Sequence, residues 1–384
     1  MANVVTVDRK QFVDNLMIIA NTIKPDSTNS NDSSNYLIIQ DGALCCVANQ
    51  FAVRIPMGLD LDSLINVEFR LLFDYVRKLK TKEIKLGITT NGTLGLLADK
   101  SRVEFAVTDA FSYDTESLIS DDDDDWIKLP ESFINALQFT AWACNVADMS
   151  TAYVIVNDGK MYGMNMKDRV SCYDMQDAGI TAFPENTAIH ADVLPFVTKY
   201  MSFEATKSCP TYTIKNSWLH LKTNSGVILS SRTRADVGFD AEFVEDLLGD
   251  GDNNLFRFNK EFTEILDRAN PFSGKDSKVK KVTVRISNSM QTKRGMVTAP
   301  ADSSFLALTA CREDGSRIYE ECTIRRVNNP VQFTVGFNLL MELVKYGEWF
   351  QLAQGRLLCT GVNSNGTAEG KNLFRAMCTL RDEE

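Results

Sequence analysis

Residues 70–80 read RLLFDYVRKLK, and residues 84–107 continue as IKLGITTNGTLGLLADKSRVEFAV. Leu72, Tyr75, Val76 and Leu79 fall at i, i+3, i+4 and i+7, the spacing of one face of an amphipathic helix. Arg77, Lys78 and Lys80 lie off that stripe and carry positive charge. Three runs of alternating apolar residues follow: Ile84/Leu86/Ile88, Leu94/Leu96 and Val103/Phe105/Val107. Asn91-Gly92 separates the first two and Lys100-Ser101 precedes the third, which predicts a helix followed by an antiparallel meander.

Ahead of this stretch, Val4–Val7 is β-prone and a helix carries Phe12, Leu16, Ile19 and Ile23. Ser27–Asn35 is a polar loop, and Tyr36–Ile39, a turn at Asp41-Gly42 and Leu44–Ile55 form a hairpin. Asp114–Asp125 ends in five aspartates, which repel one another and read as a solvated linker; a contiguous run rarely converges on a cation. The plan then recurs. Trp126–Leu129 is a short strand, Pro130 opens a helix bearing Phe133, Ala136 and Leu137, and Tyr153–Val156 and Met161–Tyr173 flank a turn at Asn157-Asp158-Gly159. Val193–Met201 is the second helix of this copy, followed by strands at Thr211–Ile214, Trp218–Leu221 and Val227–Ser230. Phe243–Asp252, acidic and glycine-containing, reads as another linker. The third copy has a helix with Phe262, Ile265, Leu266 and Ala269, a second helix over Phe337–Tyr346, and last strands at Trp349–Leu352, Arg356–Cys359 and Phe374–Cys378.

The three copies share landmarks. Phe12, Phe133 and Phe262 each precede a leucine by four residues, at Leu16, Leu137 and Leu266. Tyr75-Val76, Phe196-Val197 and Leu343-Val344 correspond in the second helices, with Arg77 and Lys78, Lys199, and Lys345 soon after. The period far exceeds that of solenoid repeats, so the expectation is three duplicated α+β domains over 1–120, 126–242 and 253–384, each two helices on an antiparallel sheet.

The hydrophobic content of 44% and charged content of 24% are those of a soluble globular chain, and no apolar run approaches a membrane span. The start MANVVTVDRKQF has no signal-peptide core, so a cytoplasmic location is expected. Nine cysteines, an odd number without a C-x-x-C spacing, predict buried reduced thiols. A net charge of −10 argues against a protein that coats nucleic acid by bulk electrostatics, although a smaller basic surface remains compatible with it.

Three copies of a strand–helix–hairpin–strand–helix–meander domain in a chain of this length resemble the bacterial DNA sliding clamp, the processivity subunit of the replicative polymerase. The stretches that carry the resemblance are VVTVDRKQFVDNL, FRLLFDYVRKLKTKEIKLGITTNGTLGLLADKSRVEFAVTD, FTVGFNLLMELVKYGEWFQLA and the terminal FRAMCTL. It spans essentially the whole chain and rests on distributed pattern. The resemblance implies a head-to-tail homodimer closing six domains into a ring around double-stranded DNA, with DNA polymerase and clamp loader as further partners and no cofactor or membrane. Lysines and arginines of the inner helices would touch phosphates without reading sequence; the candidates are Lys24, Arg77, Lys78, Lys80, Lys199, Arg268 and Lys345, which are otherwise read as solvated helix faces. The family's partner-peptide pocket maps to Arg169, Val170 and Met377. Here Lys167-Asp168-Arg169-Val170 stands where the family has Gly-His-Arg-Leu, and Arg375 and Cys378 replace an aliphatic residue and a proline. Such divergence is that of a distant homologue, with a virus-encoded clamp matched to its own polymerase as one source.

Two other readings compete. An enzyme would have to be built on His190 or His220, both in strand-like runs outside any metal spacing, and neither Asn91-Gly92-Thr93 nor Gly249–Asp252 has the layout of a phosphate loop, so no catalysis is expected. A clamp-like scaffold or transcription-coupling protein that does not act in processive replication is the second.

Overall fold

Helix and strand alternate at the start of the chain because the apolar period changes at Asp8. Ala2–Asp8 is a strand, Asp8 Oδ1 accepts the backbone N–H of Gln11 at 2.8 Å as an N-cap, and helix α1 runs over Arg9–Ile23. Its Phe12, Leu16, Ile19 and Ile23 are all buried. The computed structural model describes residues 2–23, 32–61, 64–108, 117–119, 125–165, 168–175, 183–184, 186–201, 203, 209–234, 238–249, 254–273, 281–292, 294–311, 315–361 and 374–381. The aspartate run before Asp125 and most of the Ser27–Asn35 loop lie outside the described residues, while Ser33–Asn35 forms a 3-10 turn capped by Asp32. The remaining helices are α2 (Phe69–Lys78), α3 (Phe133–Ala141), α4 (Leu194–Tyr200), α5 (Ala241–Leu247), α6 (Lys260–Ala269) and α7 (Phe337–Tyr346).

The chain divides into two units that each combine distant segments, 1–131 with 192–235 and 132–191 with 236–384. In the first, Ala2–Asp8, Glu83–Ile88, Leu94–Ala98 and Ser101–Phe105 make a four-stranded antiparallel sheet that ends at Ser101–Phe105. An eight-stranded sheet is joined at its centre by Phe51–Leu59 against Ile228–Arg232, with Ala52 opposite Ser230. Helix α2 buries Phe69, Leu72, Phe73 and Val76, and leaves Tyr75 half-buried. It stops at Lys78, so Leu79 and Lys80, expected on the helix, lie beyond its end. A residue distant in sequence holds the chain there: Arg9 Nε donates to Thr81 O and Arg9 N–H to Lys82 O, both at 2.9 Å, next to the strand that begins at Glu83.

In the second unit a seven-stranded sheet runs Thr187–His190, Tyr153–Asn157, Lys160–Asn165, Arg169–Asp174, Phe374–Thr379, Arg356–Gly361, Trp349–Ala353. Its seam is the antiparallel pairing of Arg169–Asp174 with Phe374–Thr379, which sets Val170 opposite Met377. Helix α3 lies against this sheet at Gly163, where a Cβ would sit 1.9 Å from Thr140 O, so only glycine admits the approach. A four-stranded sheet ends at Arg317–Arg325, and Ser289–Thr292 pairs with Gly295–Thr298 in a separate hairpin. The Asp41-Gly42 and Asp158-Gly159 turns have positive φ at both residues, the hairpin conformation their sequence foretells. Asn216-Ser217 adopts it without a glycine.

None of the nine cysteines is joined in a disulfide, and all but Cys209 and Cys311 are buried. Burial pushes the thiols of Cys45, Cys144, Cys172 and Cys359 up to about 12, so they stay neutral.

The stretch expected to be a linker, Phe243–Asp252, is in part a helix. Asp240 Oδ1 accepts from Phe243 N–H at 3.0 Å and starts α5, Val244 and Leu248 are buried four residues apart, and Arg356 Nη1 donates to Leu247 O at its other end at 2.7 Å. The acidic residue between them is anchored. Glu245 Oε1 accepts from Lys160 Nζ and from the Tyr162 hydroxyl, both at 2.9 Å, and Oε2 accepts from Arg375 Nη2. Acidic composition concealed this because three of the seven helical residues are Glu or Asp and Gly249–Asp252 follow.

Burial opposes the charge on Glu245, but the hydrogen bonds from Lys160 and Arg375 outweigh it and hold the carboxyl below its ordinary range. Its contribution to stability is therefore whole above the unfolded-state value of about 4.3 and is lost as the pH falls through the lower folded-state value. Glu245→Gln is expected to cost about 1 kcal/mol at neutral pH, the group being partly solvated. The gap between variant and wild type should close in melts below about pH 4, and a gap independent of pH would contradict the assignment.

Candidate nucleic-acid interface and partner site

The cations predicted to meet DNA cluster at one kind of place. Arg77 and Lys78 are in the last turn of α2, Lys199 in that of α4, Arg268 in that of α6 and Lys345 in that of α7. Cations are favoured there by the exposed carbonyls of a helix C-terminus, typically by about 0.3–1 kcal/mol. This accounts for their presence without reference to DNA. Their exposure and support add more. The Arg77 guanidinium lies 5.5 Å from the Phe73 ring centre, Lys199 Nζ 5.1 Å from that of Tyr200, and Lys345 Nζ 4.7 Å from that of Tyr346. Each of these cations is exposed and is held over an aromatic ring at the helix shoulder.

The pairings differ in strength. Arg77 meets Asp74 at 3.3 Å across one helical turn, and Lys345 only reaches 4.0 Å from Glu342. Hydrogen bonding to the Tyr346 side chain holds the Lys345 ammonium above its usual range, so it remains charged. Lys78 is exposed at the end of α2 and Lys80 is exposed beyond it. Arg268 is placed differently. Its Nε donates to both carboxylate oxygens of Glu320 at 3.0 Å and its Nη2 donates to Oε2, while α6 also exposes Glu261, Glu264 and Asp267. A bidentate carboxylate occupies the donors that a phosphate would need. Lys24 lies outside the described residues.

The residues predicted for a partner peptide all lie in the seven-stranded sheet, but Val170 and Met377 are on the face under α5 and Arg169 is on the face under α3. Val170 and Met377 are cross-strand neighbours, and Arg169 is opposite Cys378. Arg169 Nη2 donates to Cys144 O at 3.3 Å, its guanidinium lies 5.9 Å from the Trp142 ring centre, and Asp168 is 3.6 Å away. Val170 and Met377 are 1% and 5% exposed, because Tyr162, Cys172, Leu358, Val244 and Leu248 pack around them. The apolar surface is there, and α5 covers it. Sequence reasoning missed Lys160, Tyr162 and Glu245, which lie along its edge with Arg375. The available signal was the i, i+4 spacing of Val244 and Leu248 after the capping residue Asp240.

His190 and His220 are both buried within strands, and His220 Nδ1 is 2.8 Å from Ser230 Oγ. Among the described residues no three His, Cys, Asp or Glu side chains converge as metal ligands, and no helix is long and apolar enough to cross a membrane.

No protein-family model matches the sequence, and a search of curated proteins finds no relative. Solved structures do match over the whole chain. The DNA polymerase III subunit beta of Pseudomonas aeruginosa superposes with a TM-score of 0.75 at 14% identity, over 98% of this chain and 99% of that one. The DNA polymerase sliding clamp of Bacillus subtilis gives 0.74 at 12% identity over 99% of both chains, and that of Caulobacter crescentus 0.73 at 13% identity over 100% of both. The sequence thus folds, end to end, as the bacterial DNA polymerase sliding clamps do.

Proposed function

We propose that the protein is a sliding clamp: two copies close a ring on duplex DNA and tether a replicative polymerase for processive synthesis. The observation that carries the reading is the match to sliding clamps over 98–100% of the chain, together with exposed cations recurring at the C-termini of α2, α4 and α7. On this reading the chain is organised as three domains over 1–120, 126–242 and 253–384, and it serves its polymerase by holding rather than by catalysis. Two sheet edges support a head-to-tail homodimer. Ser101–Phe105 and Arg317–Arg325 each end a sheet among the described residues, so each presents an edge to which a further strand can be added, although Thr323 O already accepts from Asn259 Nδ2 at 2.7 Å. A heterologous contact of this kind closes when each copy turns by one half-circle.

A clamp must move along DNA, so retention comes from topology and the contacts must be weak. Lysines and arginines that meet phosphates contribute a salt-dependent, sequence-independent attraction, about one unit of log–log salt slope per phosphate neutralised. Arg77, Lys78, Lys199 and Lys345 are the residues that would supply it, with Lys80 beside them. Arg268 is a weaker candidate because of Glu320. The apolar surface at Val170 and Met377 would receive the polymerase and the loader.

Reversing Arg77, Lys78, Lys199 and Lys345 to glutamate is expected to shorten the products of primer extension by about tenfold or more at moderate salt, with the fold intact by circular dichroism. Full-length synthesis by that variant would overturn the assignment of these helix ends to DNA. Sedimentation equilibrium is expected to give a mass near twice 43.0 kDa. A trimer, or a monomer that persists at high concentration, would exclude the half-turn closure.

A further inference from the structure

Ser289–Thr292 and Gly295–Thr298 form a two-stranded hairpin of their own, set between Lys281–Ser287 and Ser303–Cys311 of the four-stranded sheet. A hairpin without a third strand is marginal in water unless something packs on it. Met290 and Val297 pair on one face, and Met296, opposite Gln291, lies on the other. Met296 is 68% and Val297 43% exposed, so the hairpin turns apolar surface to solvent on both faces. Its root is held firmly. Asn288 Oδ1 accepts from Ser304 Oγ at 2.5 Å, Asn288 Nδ2 donates to Val327 O at 3.3 Å, and Asn288 O accepts from Ala299 N–H at 2.9 Å. Val327 N–H donates in turn to Ser304 Oγ at 3.0 Å. Val327 lies just beyond Arg317–Arg325, so these bonds carry the root across Ser303–Cys311 to the end of the edge strand.

Whatever adds a strand to that edge therefore passes the hairpin, and the two seams inside the chain show at which end. Ile228–Arg232 runs antiparallel to Phe51–Leu59. Its first residue, Ile228, is opposite Arg54, towards the end where Leu59 faces Gly42 of the Asp41-Gly42 turn. Phe374–Thr379 likewise runs antiparallel to Arg169–Asp174. Its first residue, Phe374, is opposite Tyr173, beside the end where Asp174 faces Lys160 after the Asp158-Gly159 turn. In both seams the added strand is entered at the end that carries the host's hairpin turn. The hairpin of residues 289–298 occupies that place in the third copy. Ser101–Phe105 is entered through Asp99-Lys100, a turn whose two residues are exposed.

We propose that this hairpin is a clasp for a second copy of the chain. When Ser101–Phe105 of that copy adds to Arg317–Arg325 in the sense of the internal seams, its Asp99-Lys100 turn arrives beside the hairpin. Met296 and Val297 are then covered together, because a ribbon that is apolar on both faces is suited to insertion beside the turn. The inference rests on the proposed head-to-tail homodimer, and it adds to the strand ladder a contact that the ladder itself does not need.

Sedimentation velocity over a concentration series, on the full-length protein, reads the dimer dissociation constant. Met296→Ser combined with Val297→Thr is expected to raise it about tenfold, with the melting curve by circular dichroism unchanged. Replacing residues 289–298 by Asn-Gly, which leaves Asn288 and Ala299 in place, should raise it at least as far. The hairpin also carries Lys293 and Arg294 and no carboxylate, which makes nucleic acid the rival occupant. Lys293→Gln with Arg294→Gln is therefore expected to bind a linear duplex as the wild type does. A wild-type dimer constant for both the serine–threonine variant and the replacement overturns the proposal. So does that result accompanied by weaker duplex binding of the glutamine variant, which gives the hairpin to nucleic acid. In either case the wild-type dimer, and the clamp reading with it, survives. A wild type that stays monomeric at every concentration removes the homodimer and the clasp together.

Discussion

The ladder between Arg169–Asp174 and Phe374–Thr379 is the interaction on which the rest of its unit depends. It joins segments some two hundred positions apart into one sheet, and its register decides every neighbour described at the partner site. With Val170 opposite Met377, the apolar faces of two strands meet; with Cys172 opposite Arg375, the guanidinium is brought to the edge where Glu245 waits. A slip of one residue would turn Met377 and Arg375 together to the opposite face of the sheet, away from α5. The corresponding ladder in the other unit, Phe51–Leu59 against Ile228–Arg232, does the same for its eight strands. Neither ladder is local, so each unit folds only when distant parts of the chain have found one another.

Much of this was legible in the sequence, and for physical reasons. Helical spacing located α1, α2, α4, α6 and α7, because in each the buried residues recur every three or four positions: Phe12, Leu16, Ile19 and Ile23 in α1. Asp41-Gly42 and Asp158-Gly159 marked hairpins, because positive φ at two successive residues costs a side chain energy that Asp and Gly avoid. Strand partners were beyond that reasoning. Alternation shows which face of a strand is buried and carries no information on which distant strand lies beside it. The same limit applied at the candidate sites. That Arg268 closes on Glu320 depends on where the Arg317–Arg325 strand runs past α6, and nothing in the spacing of the helix announces it. Helix α5 reads as a linker in the sequence because it is only seven residues long, carries three carboxylates and runs into Gly249–Asp252.

The electrostatic arrangement follows one logic. A chain with a net charge of −10 repels DNA as a whole, so attraction has to be confined to small places where exposed cations are not locked in a bidentate pair with a carboxylate. The ends of α2, α4 and α7 meet that condition, each with an aromatic ring beneath the cation, and the end of α6 does not. Contacts so few and so exposed are screened within about 10 Å at ordinary salt. They can guide a duplex and cannot by themselves retain it. Retention in the proposed function is a property of the closed ring.

That claim is open to one direct measurement. The protein loaded on a nicked circular duplex is separated from unbound protein in high salt, and the DNA is then cut once. The account predicts that the protein stays with the circle through the wash and is released when the circle is made linear. Equal release from circular and linear DNA, or retention on the linear form, would contradict it.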